Sequence, residues 1–259
     1  MNIFKKIVQH LKYKYWLYCN VNIPQYYYSH KLGNKIHQGP FKGLKYNLNS
    51  VGSVLTPKLI GTYEHELSHF FTKDFLKDYH LFIDIGAAEG YYVCGVKYLN
   101  PSLQIAAFET EKKGRKQIER NLMLNNLWIE NSIEIFGECT SKNLSARLSP
   151  DKTTFILCDI EGYEYILLDP KETKGLKYCD ILIELHHDIY PDVSTKMRER
   201  FCKTHDIVTI NKINKQELSS KFKNEFIIKN FTYLSNEFRK NESWLFLSAK
   251  TKCNENFNI

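Results

Sequence analysis

The chain has 259 residues, 43% of them hydrophobic and 25% charged, with a formal net charge of +7. That length and apolar content fill the core of one large domain, or of a domain with an extension. No apolar run is long enough to span a bilayer, and lysines at Lys5, Lys6, Lys12 and Lys14 interrupt any signal-peptide core. The seven cysteines stand singly with no C-x-x-C pair, as in a reduced, cytoplasmic protein rather than a disulfide scaffold. The charge is uneven. Residues 1–60 carry nine lysines and no Asp, Glu or Arg, while the rest of the chain is close to neutral.

Ile3 to Tyr18 reads as an amphipathic helix, with Phe4, Ile7, Leu11, Tyr15 and Tyr18 at helical spacing. Tyr13, Trp16 and Tyr26 to Tyr28 add aromatics to the lysines. A basic, aromatic arm of this kind suits the inner face of a membrane, and it can also touch nucleic acid or a glycan. The division expected is therefore a basic extension over 1–60 and a catalytic domain over 61–259. Gly39-Pro40 and Gly43 mark a hairpin or irregular strand region from Phe41 to Asn49. Thr62 to Lys77 is predicted to be a helix. It contains His65-Glu66-Leu67-Ser68-His69, the H-E-x-x-H pattern of zinc proteases, but no following helix offers a third ligand.

Leu81 to Ile85 is an apolar run with an acid at Asp84, as in a buried parallel strand. Gly86, Ala87, Ala88 and Gly90 follow, a bend poor in side chains where a ligand can press on backbone. Tyr91 to Leu99 reads as a helix whose free N–H groups open beside that ligand. Gln104 to Phe108 is a second strand, and Glu109 at its end suits the two hydroxyls of a ribose. The dinucleotide pattern G-x-G-x-x-G is not met, because Tyr91 takes the place of the last glycine. Asp84 would also repel a pyrophosphate. The acid suits a ligand with a positive amino or sulfonium group, as in the S-adenosylmethionine site of class I methyltransferases, which D-I-G-A-A-E-G with F-E resembles.

Lys112 to Asn125 is a predicted helix and Ser132 to Phe136 a third strand, and by the resemblance to class I methyltransferases Glu138 would lie near the adenine amino group. Thr153 to Cys158 is a fourth strand ending in Asp159-Ile160-Glu161-Gly162-Tyr163-Glu164. Ile181 to Leu185 is a fifth, with Glu184, His186 and His187 at its end. A helix over Val193 to His205, a strand over Ile207 to Ile210, a lysine-rich insertion and a closing strand over Ser243 to Ser248 complete the chain. This alternation predicts a doubly wound, mostly parallel α/β sheet of about seven strands, a Rossmann-like class I methyltransferase fold with an N-terminal helical, basic extension.

The segments F-I-D-I-G-A-A-E-G-Y-Y, A-A-F-E, N-L-M-L-N-N, C-D-I-E-G-Y-E and I-L-I-E-L-H resemble the FkbM-type family of class I methyltransferases. G-T-Y-E at Gly61 to Glu64 resembles the segment that family carries before its first strand. The resemblance covers roughly residues 40–190. It implies S-adenosylmethionine-dependent methyl transfer, usually to oxygen, on glycans or secondary metabolites. By position, Asp84, Gly86, Ala88 and Gly90 would line the methionine side, Glu109 would hold the ribose, and Asp159 would stand near the methyl. A hydroxyl acceptor needs a base, and the candidates are Asp159, Glu161, Glu184 and His186, with Asp159, Glu161 and His186 taken as catalytic. No metal is assigned, although Asp159, Glu161 and Glu184 have the hard oxygens a divalent ion favours. The absence of an N/D-P-P-Y/F block at the fourth strand argues against amino-group methylation of adenine or glutamine, and the absence of Pro-Cys after it against cytosine-5 chemistry. Competing readings are an RNA methyltransferase using the basic arm, a non-catalytic binder of the same fold, and the zinc protease.

Overall fold

The computed structural model describes residues 8, 10, 12, 14–239 and 243–251. Half of the predicted Ile3–Tyr18 helix lies outside the described residues. One seven-stranded sheet organises the rest. In chain order its strands are β1 Leu81–Ile85, β2 Gln104–Phe108, β3 Ile133–Phe136, β4 Thr154–Cys158, β5 Cys179–Leu185, β6 His205–Asn211 and β7 Ser243–Ala249. Their spatial order is β3-β2-β1-β4-β5-β7-β6. β1 to β5 pair in parallel, and β7 runs antiparallel between β5 and β6. The order turns back at β1, so the ends of β1, β2 and β4 open a crevice there, the place where such sheets take ligands.

β4 and β5 are buried along their whole length. This is why they read as unbroken apolar runs: helices cover both faces of a parallel sheet. One face packs Phe82, Ile105, Phe155 and Leu182 against the helices Tyr91–Leu99, Lys112–Leu124 and Glu225–Leu234. The other packs Ile83, Phe108, Ile156 and Ile181 against Leu144, Leu167, Met197 and Phe201. Ile36, Phe41, Leu44, Tyr46 and Leu59 belong to the first of these cores. Phe41 is fully buried, and its ring lies where a Cβ on Gly95 would come within 2.3 Å. The missing side chain at Gly95 is what lets the 35–46 segment lie down on the helix behind β1.

Two expectations are corrected. Thr62 to Lys77 is not a helix. It is a series of turns with a 3-10 turn at His65–Leu67 and a short helix at Lys73–Leu76. Glu64 takes a left-handed backbone (φ 44°), and the turns bury Leu67, Phe70, Phe71 and Leu76 together. A regular surface helix presents only one stripe to the core and could not bury adjacent phenylalanines as completely. The lysine-rich insertion, in turn, carries a helix at Glu225–Leu234, capped by the Asn224 side chain and buried through Ile227, Phe231 and Leu234.

Candidate functional site

The crevice is a cavity of about 750 Å³ lined by the bend after β1, the ends of β2, β3 and β4, the 51–53 loop, Lys58, Tyr63, Glu64, Arg239 and Trp244. That volume suits a ligand of nucleoside size. Of the residues the sequence placed on one site, Asp84, Gly86, Ala88, Glu109, Glu138, Asp159 and Glu161 line this cavity, while Gly90 and His186 do not. Gly86 has φ 91°, and a Cβ there would lie 1.8 Å from the Asp159 carbonyl oxygen. Only glycine lets β1 and β4 close at this point. Ala88 is also left-handed (φ 47°). Gly90 caps the Tyr91–Leu99 helix in the left-handed region, and the N–H groups at that end have no partners in the helix itself.

Asp84 is 3% exposed. Among the described residues its side chain makes no hydrogen bond and no ion pair. Burial, and then the carboxylates of Asp159, Glu109 and Glu64, push its pKa well up, with Lys58 the opposing cation. A buried acid on a cavity wall without a protein cation in contact is satisfied by a positive ligand. Glu109 differs. Its two oxygens accept the backbone N–H groups of Ala88 at 2.8 Å and Glu111 at 2.6 Å. Burial raises its pKa against those bonds. A carboxylate has further lone pairs, which leaves acceptor capacity for a diol. Glu138 is exposed at the rim, its carbonyl fixed by the Asn143 side chain at 3.0 Å.

Behind the loop, Glu89 is fully buried and pairs with Lys58 Nζ at 2.6 Å. It also accepts from Ser50 Oγ at 2.7 Å and from the Val51 N–H at 2.9 Å. Burial alone would raise its pKa, but Lys58 and these donors hold it below the usual glutamate range. Glu89 thus straps the 50–53 loop to the bend after β1.

The far wall is crowded with charge. Arg239 bonds Glu64 and Glu184, each at 2.9 Å, and Tyr63. Tyr92 donates to the other oxygen of Glu64. Burial pushes Glu64 up to about 7 against the pull of Arg239. Burial, and then Asp159, push Glu184 up to about 12. Glu184 sits within β5 rather than beyond its end. His186 does not line the cavity. It stands behind Asp159 and Glu161, with Nε2 at 3.5 Å from Asp159 Oδ1 and 3.4 Å from Glu161 Oε2. His187 bonds Ser243 Oγ at 3.1 Å and holds β7. Glu161 adopts φ 54°, an uncommon conformation for a side-chain-bearing residue that costs of order 1–3 kcal/mol and clusters at working sites.

His65 and His69 stand on the turns of 62–77, not on one helical face. His65 Nδ1 meets Ser68 Oγ at 3.1 Å and the His69 ring rests on Phe70. Neither belongs to the only cluster of potential metal ligands found among the described residues. Sequence reasoning missed Lys58, Tyr63, Glu89, Glu164 and Arg239 as site residues. Glu164 was visible in D-I-E-G-Y-E and Tyr63 in G-T-Y-E. Nothing local marks Arg239, whose partners come from distant segments.

The strand order, with antiparallel β7 set between β5 and β6, is that of a doubly wound, Rossmann-like α/β sheet. No protein-family model and no curated protein matches the chain. Solved structures similar in chain path include the O-methyltransferase TomG from Streptomyces achromogenes, crystallised with SAM, at 13% identity, 73% and 81% coverage of this and that chain, and TM-score 0.47. A precorrin-6y C5,15-methyltransferase from Geobacter metallireducens aligns at 17% identity, 67% and 81% coverage and TM-score 0.42. A protein described as an rRNA methylase from Clostridium thermocellum aligns at 9% identity, 70% and 94% coverage and TM-score 0.47. The chemistry proposed for this chain rests on its own residues.

Proposed function

We propose that the chain is an S-adenosylmethionine-dependent methyltransferase acting on a hydroxyl of a sugar, a glycan or a related small molecule. The observation that carries the cofactor is Asp84: a buried carboxylate facing the cavity with no hydrogen bond or ion pair among the described residues, beside a side-chain-poor bend and a helix start. The amino and sulfonium groups of the cofactor answer that charge, and Glu109 accepts from the ribose. The resemblance to FkbM-type enzymes supports oxygen as the acceptor.

Bound S-adenosylmethionine would supply an electrophilic methyl group whose sulfonium leaves as a neutral thioether. The residues of the chain would hold the acceptor hydroxyl in line with that methyl carbon and take its proton on a carboxylate. Asp159 and Glu161 are the wall residues at the end of β4 able to take it, with His186 behind them. Holding oxygen and methyl carbon in that alignment is a large part of the catalysis.

The alternative, an RNA acceptor, has one observation in its favour: Lys112, Lys113, Lys116 and Arg120 surround a recess on the Lys112–Leu124 helix. Against it, the cavity wall carries Glu64, Asp84, Glu109, Glu111, Glu138, Asp159 and Glu161 against Lys58 and Arg239, a field that repels phosphates. Calorimetry with S-adenosylmethionine, followed by methyl-transfer assays on glycan, lipid and RNA fractions, tests the reading. Saturable cofactor binding is expected, with turnover on a hydroxylated acceptor that Asp159→Ala abolishes. A protein that binds no cofactor is a non-catalytic relative and ends the proposal.

A further inference from the structure

The structure assigns a divalent-cation site to Asp159, Glu184 and His186, at the edge of the cavity, with ligand chemistry that fits Mn2+. Its place beside the acceptor rests on the methyl-transfer reading; its existence does not. β4 and β5 pair in parallel with Cys158 opposite Ile183, so the next residues along, Asp159 and Glu184, come side by side, and His186 follows where β5 ends. One oxygen from each acid and one imidazole nitrogen all lie within 4.8 Å of one another. That is close to the span across a single ion whose bonds are about 2.0–2.2 Å.

Three further features point inward. Among the described residues Asp159 Oδ1 is buried with no hydrogen-bond partner. It faces His186 Nε2 at 3.5 Å, and Glu184 Oε2 faces the same nitrogen at 3.7 Å. These separations are too long for good hydrogen bonds and short enough for a shared ion. Glu184 is 1% exposed and gives its other oxygen, Oε1, to Arg239, so Oε2 is the atom turned to the cluster. Finally, His186 Nδ1 stands 3.0 Å from Glu164 Oε1. Glu164 is itself fully buried and fixed by the N–H groups of Ile160 at 2.9 Å and Gly162 at 3.2 Å. That carboxylate lies close enough to hold the ring once Nδ1 turns toward it, although among the described residues Nδ1 has no hydrogen-bond partner as the ring stands. Two carboxylate oxygens and one imidazole favour Mn2+ or a similar transition ion over Mg2+, which prefers oxygens and retains its waters.

With the three ligands committed, Glu161 becomes the wall carboxylate left to accept the hydroxyl proton. Its side chain is 85% exposed, so it can turn toward an acceptor. The cation supplies a fixed positive charge that positions and acidifies the hydroxyl.

The test is Mn2+ titration of the full chain followed by electron paramagnetic resonance, with S-adenosylmethionine binding measured separately by calorimetry. One ion per chain is expected at micromolar to sub-millimolar Mn2+. Pulsed spectra should show nitrogen coupling from a directly bound imidazole. Asp159→Asn, Glu184→Gln and His186→Gln should each weaken binding about tenfold or more, and His186→Gln should abolish the nitrogen coupling. Glu161→Gln should lose turnover. The wild-type spectrum needs no variant, so a misfolded mutant does not blunt the test. Cofactor binding without Mn2+ binding at millimolar concentration, or bound Mn2+ without nitrogen coupling, overturns the site and leaves the methyltransferase reading intact. Mn2+ binding without cofactor binding does the reverse.

Discussion

At the scale of single residues, the cavity sets a buried acid against an empty backbone bend, and each makes a separate prediction. Gly86→Ala puts a Cβ onto the Asp159 carbonyl at 1.8 Å in a backbone region alanine disfavours by of order 1–3 kcal/mol. Cofactor binding should be lost and the melting temperature should fall, by calorimetry and thermal melts on the same sample. Asp84 predicts the opposite pairing. Its pKa is raised in the free protein by burial and by the facing carboxylates of Asp159, Glu109 and Glu64, with Lys58 opposing. A group raised in the folded state gives stability at low pH that is lost as pH climbs through its folded pKa. Asp84→Asn should therefore make the unliganded protein more stable at high pH while weakening S-adenosylmethionine binding about 10- to 100-fold, the size of a lost charged hydrogen bond. A positive ligand drives Asp84 to ionise, so wild-type binding should release a proton and tighten as pH rises. Calorimetry in buffers of different ionisation heat would read that release, and Asp84→Asn should abolish it. Proton release that persists in the variant would place the titrating group elsewhere.

Elements hold these residues through contacts that local sequence reveals unevenly. β1, β2, β4 and β5 were legible because buried parallel strands are continuous apolar runs, and because Gly86 and Gly90 punctuate the first turn as close approach demands. The Glu225–Leu234 helix was not legible. Its buried stripe of Ile227, Phe231 and Leu234 is diluted by Lys229 and Asn230, and the Asn224 cap lies in a lysine-rich stretch. The 62–77 segment misled for the converse reason: its apolar spacing mimics a helix, while packing selects turns that bury Phe70 and Phe71 together. The acids of the site were readable from strand ends, but Arg239 and the Lys58–Glu89 strap exist only once distant segments meet. The strap is testable. Lys58 and Glu89 are 3% and 0% exposed as side chains, and leaving one such charge alone costs about 3–5 kcal/mol. Lys58→Met should destabilise by that amount in urea unfolding at neutral pH. Glu89 is held below the usual glutamate range, so its stabilisation is present above the unfolded pKa and lost as pH falls through the folded one. Without Lys58, acidification instead neutralises a buried unpaired charge. The gap between variant and wild type should therefore shrink on acidification, and a gap that stays constant would remove the strap from the account. Phe41→Ala, which empties the space facing Gly95, should cost about 3–5 kcal/mol.

For the whole molecule the open question is what the basic arm meets, and the Ile23–Leu32 helix states it geometrically. One side is bound to the body: Gln25 bonds the Thr56 side chain at 2.9 Å, Tyr28 bonds Asn230 at 3.1 Å, and Ser29 and Leu32 are buried. The other side leaves Ile23, Tyr26 and Tyr27 exposed, with Lys31 over the Tyr27 ring at 5.9 Å. Tyr15 and Trp16, 72% and 50% exposed, extend the apolar surface beside exposed Lys12 and Lys14. Among the described residues no helix is long and apolar enough to cross a membrane. Aromatic rings among lysines, with no acid in the first 60 residues, match the headgroup layer of an anionic bilayer. The full chain should co-sediment with vesicles containing anionic lipid and not with neutral ones. Binding should fall as salt rises, because lysine attraction is screened, and should weaken markedly in a Trp16→Ala, Tyr26→Ala, Tyr27→Ala variant whose melting temperature is unchanged, since these side chains are exposed. Retention on RNA but not on vesicles, lost in a variant of Lys112, Lys113, Lys116 and Arg120, would move the docking surface to the Lys112–Leu124 helix and revive the nucleic-acid reading.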